Sequence, residues 1–323
     1  MQRVAAAIVH YGRPAATARC LDALRRSEVP VDVWIVDNGP PGSLTTVDTG
    51  PATRIDPGGN VGYGAALNRV AARLLRDGSH DALLCLNNDA LVETGTVGRL
   101  AEALAEDDRR AVAVPRIVLD DGTDRLWYGG GKVDWRKGSA RVAGVGGSAG
   151  TAAALRSRDV GFATGCALLA RLDALARDGG FDARYFLYEE DVELSLRLRA
   201  GGWTLRYVPE ALVRHAGQGS QRAPGETFVP IHRPDNPRAE RLAELQVCNR
   251  LLTVRRHATP GQRLAFGLWS PLHWSRRCLG ALVSGRPGVA TALVRGLRRY
   301  RRLRGRPPAT ELFAEASGGA PEA

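Results

Sequence analysis

The sequence predicts an α/β fold: a mostly parallel sheet flanked by helices, followed by a basic helical segment at the C-terminal end. Three observations carry this. Short apolar runs alternate with stretches of helical period through the first 120 residues, the pattern of strands joined by crossover helices. Several of those runs stop abruptly at polar residues, where an open α/β sheet places its ligands. The charge is segregated: residues 245–310 hold 14 arginines and no Asp or Glu, whereas the first 244 residues hold 31 basic and 31 acidic side chains.

The apolar run at 4–9 reads as a first buried strand, and Pro14 suits the first turn of a helix over 14–26. A second strand at 31–36 closes in the turn Asp37-Asn38-Gly39-Pro40. Asn60 to Gly64 leads into a helix through Arg76, 82–86 forms a third strand, 94–106 a helix and 111–118 a further strand. The Gly-rich stretch 120–150, with Trp127, Tyr128 and Trp135, reads as a hairpin or loop over the site. After an apolar run at 160–170, residues 181–198 pass from aromatic to acidic to helical, 203–208 is a closing strand, and 224–237 a mobile loop. The expected division is a catalytic domain over 1–240, a basic amphipathic helical segment over 241–310 and a disordered tail over 311–323.

Composition narrows the class. Hydrophobic residues at 44% and charged residues at 24% of 323 support a sizeable core. Cys20, Cys85, Cys166, Cys248 and Cys278 are odd in number and scattered, without a CxxC pair, so free thiols in a reducing compartment are expected. No uncharged apolar run reaches the roughly 18 residues that span a bilayer, and the start has no secretory-signal pattern. A cytoplasmic protein, peripheral at the inner face of the membrane, is expected.

Three constellations carry chemistry. Leu86-Asn87-Asn88-Asp89 ends a strand in oxygen-bearing side chains, the hard ligands that Mg²⁺ or Mn²⁺ on a diphosphate accepts; an Asx turn would use the same residues. Glu189-Glu190-Asp191 and Glu193 crowd a helix start. Acids there complement the helix dipole, but four in five residues exceed what capping needs, and mutual repulsion raises a pKa as a general base requires. His215 stands just after the closing strand, as a structural histidine or a ligand.

In this order and with their flanks, these pieces resemble the inverting glycosyltransferases of family 2, which have the GT-A fold. The resemblance runs from about Val4 to Ser220. It rests on His10-Tyr11-Gly12-Arg13, Asp37-Asn38, Asn60-Val61-Gly62-Tyr63-Gly64 through Asn68, Asn87-Asn88-Asp89, Gly161 to Gly165, Gly180-Phe181-Asp182, Tyr188 to Asp191, and His215. Within the family it is most similar to bacterial rhamnosyltransferase-like enzymes of cell-wall and polysaccharide assembly. The resemblance implies a nucleotide-diphosphate sugar donor, dTDP or UDP, and a glycan or lipid-linked acceptor. It implies Asp37 at the N3–H of the pyrimidine, with Tyr11, Arg13, Asn60, Gly64, Asn68 and Asn88 also on the donor. Asp89 and His215 would hold the metal, Asp191 would be the base, and Glu190, Gly165 and Thr164 would line the acceptor pocket. One departure stands out: Asn87 replaces the first Asp of the usual Asp-x-Asp, so a single carboxylate brings charge to the metal.

Other classes fit less well. Gly62-Tyr63-Gly64 is followed by Leu67 where a dinucleotide fingerprint needs a third Gly. A sugar-nucleotide nucleotidyltransferase wants a Gly-rich basic loop after the first strand, which His10-Tyr11-Gly12-Arg13-Pro14 is not. A nucleic-acid-binding protein using the Arg-rich tail would have no use for acids at strand ends, and the neutral body is a poor polyanion groove, so no nucleic-acid partner is expected. In the tail, Val289, Leu293, Leu297, Tyr300 and Leu303 share one helix face among seven arginines, with Phe266, Leu268, Trp269, Leu272 and Trp274 upstream. That pattern suits an anionic bilayer, at about 1 kcal/mol per Arg. Its alternative is a stripe docked on the catalytic domain with the arginines solvated.

Overall fold

A computed structural model describes residues 3–217 and 238–307. The expected loop at 224–237 and tail at 311–323 lie outside the described residues. β1 (Val4–His10) is buried at every position, as a central strand covered on both faces must be. It pairs in parallel with β2 (Val31–Asp37), itself bordered by the short edge strand β3 (Thr53–Ile55), and on its other side with β4 (Ala82–Asn87). Helices α1 (Pro14–Arg25) and α2 (Tyr63–Asp77) make the crossovers. The order β3-β2-β1-β4 reverses at β1, which opens a crevice beyond the carboxyl ends of β1 and β4.

The chain continues through β5 (Ala90–Val92), α3 (Thr96–Ala105), β6 (Arg110–Leu119), β7 (Leu126–Tyr128) and a separate hairpin of β8 (Gly131–Asp134) and β9 (Ser139–Val142). Then come β10 (Arg158–Asp159), β11 (Ala167–Arg171), α4 (Leu172–Asp178), α5 (Glu190–Ala200) and β12 (Thr204–His215). The expected parallel pairing holds for β1 to β4 and for β6 with β12. β11 instead runs antiparallel between β4 and β6. It starts opposite Leu86, at the carboxyl end of β4, so a strand leaving the Gly161–Gly165 loop can only run back the other way. β12 does not stop at 208 as expected. Pro209 and Glu210 fall in a register shift between Val208 and Leu212, and the strand resumes to end on His215, which is therefore on the strand and not after it.

Three long helices follow: α6 (Ala239–His257), α7 (Pro260–Val283) and α8 (Pro287–Leu303). Among the described residues no helix is long and apolar enough to cross a membrane. The apolar stripe of α8 turns inward. Val289, Ala292 and Leu293 pack on Ala239, Ala243 and Val247 of α6, and Tyr300 and Leu303 reach the cluster of Tyr185, Cys248 and Leu252. Gly296 permits that approach, since a Cβ there would lie 2.5 Å from the Glu244 carbonyl oxygen. Apart from Leu297, which is 38% exposed, the α8 stripe expected to face a bilayer is docked within the protein, because α6 offers it a matching small-residue face.

Candidate active site

The strand registers align the ends that matter: Val9 lies beside Asn87 and His10 beside Asp37. A buried string of hydrogen bonds joins them. Asn88 Nδ2 donates to the Tyr11 carbonyl at 3.2 Å and to Thr17 Oγ1 at 3.0 Å. Thr17 Oγ1 lies 2.6 Å from His10 Nδ1, His10 Nε2 lies 3.1 Å from Ser43 Oγ, and Ser43 donates to Asp37 Oδ1 at 3.0 Å. A carboxylate only accepts, so Ser43 gives it the hydroxyl proton and accepts from His10. The ring proton therefore sits on Nε2 and the Thr17 hydroxyl donates to Nδ1. That ring is neutral, and burial holds its pKa below the ordinary histidine value. Asp37 also accepts from the Gly39 amide at 3.1 Å, and Arg54 lies 3.6 Å from its other oxygen. Tyr11 accepts from Arg241 of α6 at 3.3 Å, and Arg13 is the residue before the first turn of α1.

Asp89 and His215 meet at the same edge. Ala90 pairs with His215 across β5 and β12, so His215 Nε2 stands 3.2 Å from Asp89 Oδ1 over 126 residues of sequence. Asp89 is 6% and His215 4% exposed. The imidazole packs edge-on against Trp127, with centroids 4.5 Å apart, and its buried Nδ1 has no hydrogen-bond partner among the described residues. Burial works against a charged ring, but Cys166 and Asp89 beside it outweigh that and hold its pKa well above the usual value. Among the described residues no group of three or more His, Cys, Asp or Glu gathers for a metal. The pair fits a divalent cation whose remaining ligands are phosphate and water oxygens, which is how Mg²⁺ is commonly held.

The acid turn is held under strain. Tyr188 (φ 68°) and Glu189 (φ 65°) are the non-glycine residues with positive φ among the described residues, at about 1 kcal/mol or more each. Asn249 of α6 fixes them, its Nδ2 donating to the carbonyls of Leu187 (2.9 Å) and Tyr188 (2.6 Å). From the other side Tyr63 N donates to the Phe186 carbonyl at 3.0 Å. Gly62 is required there, with φ 88° and a would-be Cβ 2.4 Å from the Phe186 oxygen. Beyond the turn, Asp191 Oδ2 accepts from the Gly165 amide at 2.8 Å and Oδ1 from its neighbour Val192 at 2.8 Å. Tyr63 donates its hydroxyl to the Gly165 carbonyl at 2.5 Å. Burial raises the pKa of Asp191, while the Gly165 and Val192 amides and the Thr164 hydroxyl favour its charge. Glu190 is 5% exposed, one of its oxygens has no hydrogen-bond partner among the described residues, and burial with the Asp191 charge pushes its pKa well up. The Gly165 and Val192 amides and the Thr164 hydroxyl offset burial at Asp191, so Glu190 is the more strongly raised of the two carboxyls. Burial brings Glu189 to about 7 despite Arg250 at 3.4 Å.

The fourth acid has another task. Glu193 faces away into a buried network, 2.8 Å from Arg256, 2.9 Å from Arg197 and 3.3 Å from His257, which locks α5 to α6. Asn68, expected on the donor, is fully buried, and its amide is spent on the Phe181 carbonyl (2.7 Å) and amide (2.8 Å). Gly64 likewise serves packing, since a Cβ would lie 2.7 Å from Phe181 Cβ. Asn60 accepts from the Gly62 amide at 3.0 Å and shapes the turn into α2. The sequence reading missed Thr17, Ser43, Asn249 and Arg250. Thr17 and Ser43 carried no signal beyond being small and polar, and α6 lies far from the acid turn in the chain.

A strand-end Asp–His pair and a backbone-anchored carboxylate on this mixed sheet fit a glycosyltransferase of the GT-A fold. Residues 6–171 match the family described as Glycosyl transferase family 2, and the chain belongs to that family. It is 30% identical over 226 residues to N-acetylglucosaminyl-diphospho-decaprenol L-rhamnosyltransferase of Mycobacterium tuberculosis, covering 64% of this chain and 74% of that one. A 64-residue stretch is 38% identical to rhamnosyltransferase WbbL of Escherichia coli, 20% of this chain and 24% of that one. The fold is similar to that of GalNAc-T7 solved with UDP, GalNAc and Mn²⁺, with a TM-score of 0.57 at 14% identity. That match takes in 79% of this chain, which spans about half (48%) of the GalNAc-T7 chain. It is also similar to the mannosyltransferase PcManGT of Pyrobaculum calidifontis in complex with GDP-Man and Mn²⁺, with a TM-score of 0.52, 15% identity and coverage of 98% and 86%. These likenesses do not favour a nucleotidyltransferase or a nucleic-acid-binding protein.

Proposed function

We propose that this glycosyltransferase moves L-rhamnose from a dTDP- or UDP-linked donor to a hydroxyl of a lipid-linked glycan, with inversion, in bacterial cell-wall or polysaccharide assembly. The observation that carries the chemistry is the placing of Asp89 with His215 and of Asp191 on Gly165 around one loop, Thr164-Gly165-Cys166. The sugar and acceptor class follow the M. tuberculosis relative, whose name states both.

In this reading Asp37 accepts the N3–H of uracil or thymine, held in place by Ser43 and His10. Asp89 and His215 hold Mg²⁺ or Mn²⁺, which when bound would neutralise the departing diphosphate. Asp191 takes the proton of the acceptor hydroxyl as that oxygen attacks the anomeric carbon from the face opposite the leaving group. Glu190 lines the acceptor pocket, and Thr164 and Gly165 shape it. Such an acceptor places the reaction at the cytoplasmic face of the membrane. The test is a donor panel: release of nucleoside diphosphate with the acceptor N-acetylglucosaminyl-diphospho-polyprenol should be fastest from dTDP-L-rhamnose or UDP-L-rhamnose. Faster turnover of a hexose or N-acetylhexosamine donor would overturn the sugar assignment.

A further inference from the structure

The helix α7 is amphipathic in the inverted sense. Phe266, Ser270 and Ala281 turn inward, while Leu264 (65%), Leu268 (75%), Leu272 (63%), Leu279 (63%), Leu282 (54%) and Val283 (81%) are exposed. At 3.6 residues per turn these six side chains fall within an arc of roughly 100° along a helix about 36 Å long. Nothing among the described residues covers them. Contiguous exposed apolar surface of this length marks an interaction site.

The surroundings identify the occupant. Arg276 is exposed beside the leucines, and with Arg277, Trp269 and His273 it lines a groove of about 400 Å³ between α7 and α8. Leu272 lines the same groove, so the cationic and apolar surfaces are continuous. No Asp or Glu occurs from 245 to 310, against 14 arginines. A second copy meeting this face would set arginine against arginine. An anionic bilayer instead offers hydrocarbon to the leucines and phosphate to the arginines.

We propose that α7 is a membrane-docking helix, laying its leucine arc into an anionic lipid surface with lipid phosphate seated against Arg276 and Arg277. This replaces the α8 stripe as the lipid-facing element. It rests on the proposed lipid-linked acceptor for its purpose alone, not for its binding. The test co-sediments the full chain at low salt with vesicles of phosphatidylglycerol and phosphatidylcholine in equal parts, and with phosphatidylcholine alone. Binding to the anionic vesicles should exceed that to the neutral ones by about tenfold or more and weaken in high salt. The double variant Leu264→Asp/Leu268→Asp should keep the parent's circular dichroism, melting and transfer to a water-soluble acceptor, yet lose about tenfold in vesicle affinity. A parent that stays in the supernatant with both vesicles, or a folded variant that pellets like the parent, would overturn the proposal. So would a parent dimer, without vesicle binding, that the variant converts to monomer. Vesicle binding lost in the variant, with no transfer to any acceptor by the parent, would uphold the docking helix and sink the proposed reaction.

Discussion

Gly165 N donates to Asp191 Oδ2 at 2.8 Å, tying the loop before β11 to the first turn of α5. A side chain at 165 would be crowded: its Cβ would lie 3.1 Å from Tyr63 Cε1 and 3.4 Å from Asp191 Cβ. The bond favours an ionised Asp191 within a buried site, and it fixes where the carboxylate points. A carboxylate so placed is aimed and charged without being stripped of all hydrogen bonds.

From that relationship, Asp191→Asn should leave the fold and donor affinity intact and lower kcat by about 10² or more. In the parent, kcat should rise with pH along a limb lying above the ordinary aspartate value of 3.8, because burial raises this group and only its ionised form is a base. Turnover within a few-fold of the parent, with the limb in place, would move the base role to Glu190 or Glu189.

Metal dependence follows from a site with a single charged ligand. EDTA should abolish transfer and Mg²⁺ or Mn²⁺ restore it, whereas Asp89→Ala should resist rescue at any accessible metal concentration. Full activity in EDTA would leave arginines to neutralise the diphosphate.

Asn249 is a positioning residue: its side-chain amide is spent on the backbone of the strained turn. Asn249→Ala should cost about 1–3 kcal/mol of stability by orphaning buried carbonyls. It should also lower kcat by roughly tenfold as Asp191 loses its aim, with the KM for donor nearly unchanged. A parallel loss of donor affinity would place its effect elsewhere.

Glu193 gives a stability signature. Burial alone would raise its pKa, but His257, Arg197 and Arg256 bring it down to about 2 from 4.5. A depressed folded pKa contributes stability that is fully present above the unfolded value and lost as pH falls through the folded one. The loss therefore falls between about pH 4.5 and 2, and amounts to about 3 kcal/mol. Glu193→Gln should melt lower than the parent at pH 7 and show a flatter acid limb. An identical acid limb in the two proteins would contradict this account.

The long elements were legible because their periods are long enough to read. The ends of β1, β2, β4 and α5 fall within about two residues of the sequence reading, and the polar residues beyond them do converge. β3, β5 and β10 are two or three residues long, too short for a period, and β12 hides its second half behind Pro209. The four acids looked alike in sequence. The packing of α6 separates Glu193, paired with Arg256 and His257, from Asp191, anchored on backbone amides. The α8 stripe was visible, but its partner is a face of α6 that no local pattern announces, and the leucines of α7 were read with the wrong neighbours.

The central claim, inverting transfer driven by Asp191, is tested most directly by the anomeric configuration of the product. Parent enzyme, dTDP-L-rhamnose, Mg²⁺ and a soluble acceptor would be followed by proton NMR. The account predicts a product linkage opposite to that of the donor, formed in the first turnover and about 10²-fold or more slowly with Asp191→Asn. A retained configuration, or product formed equally fast by Asp191→Asn, would contradict it.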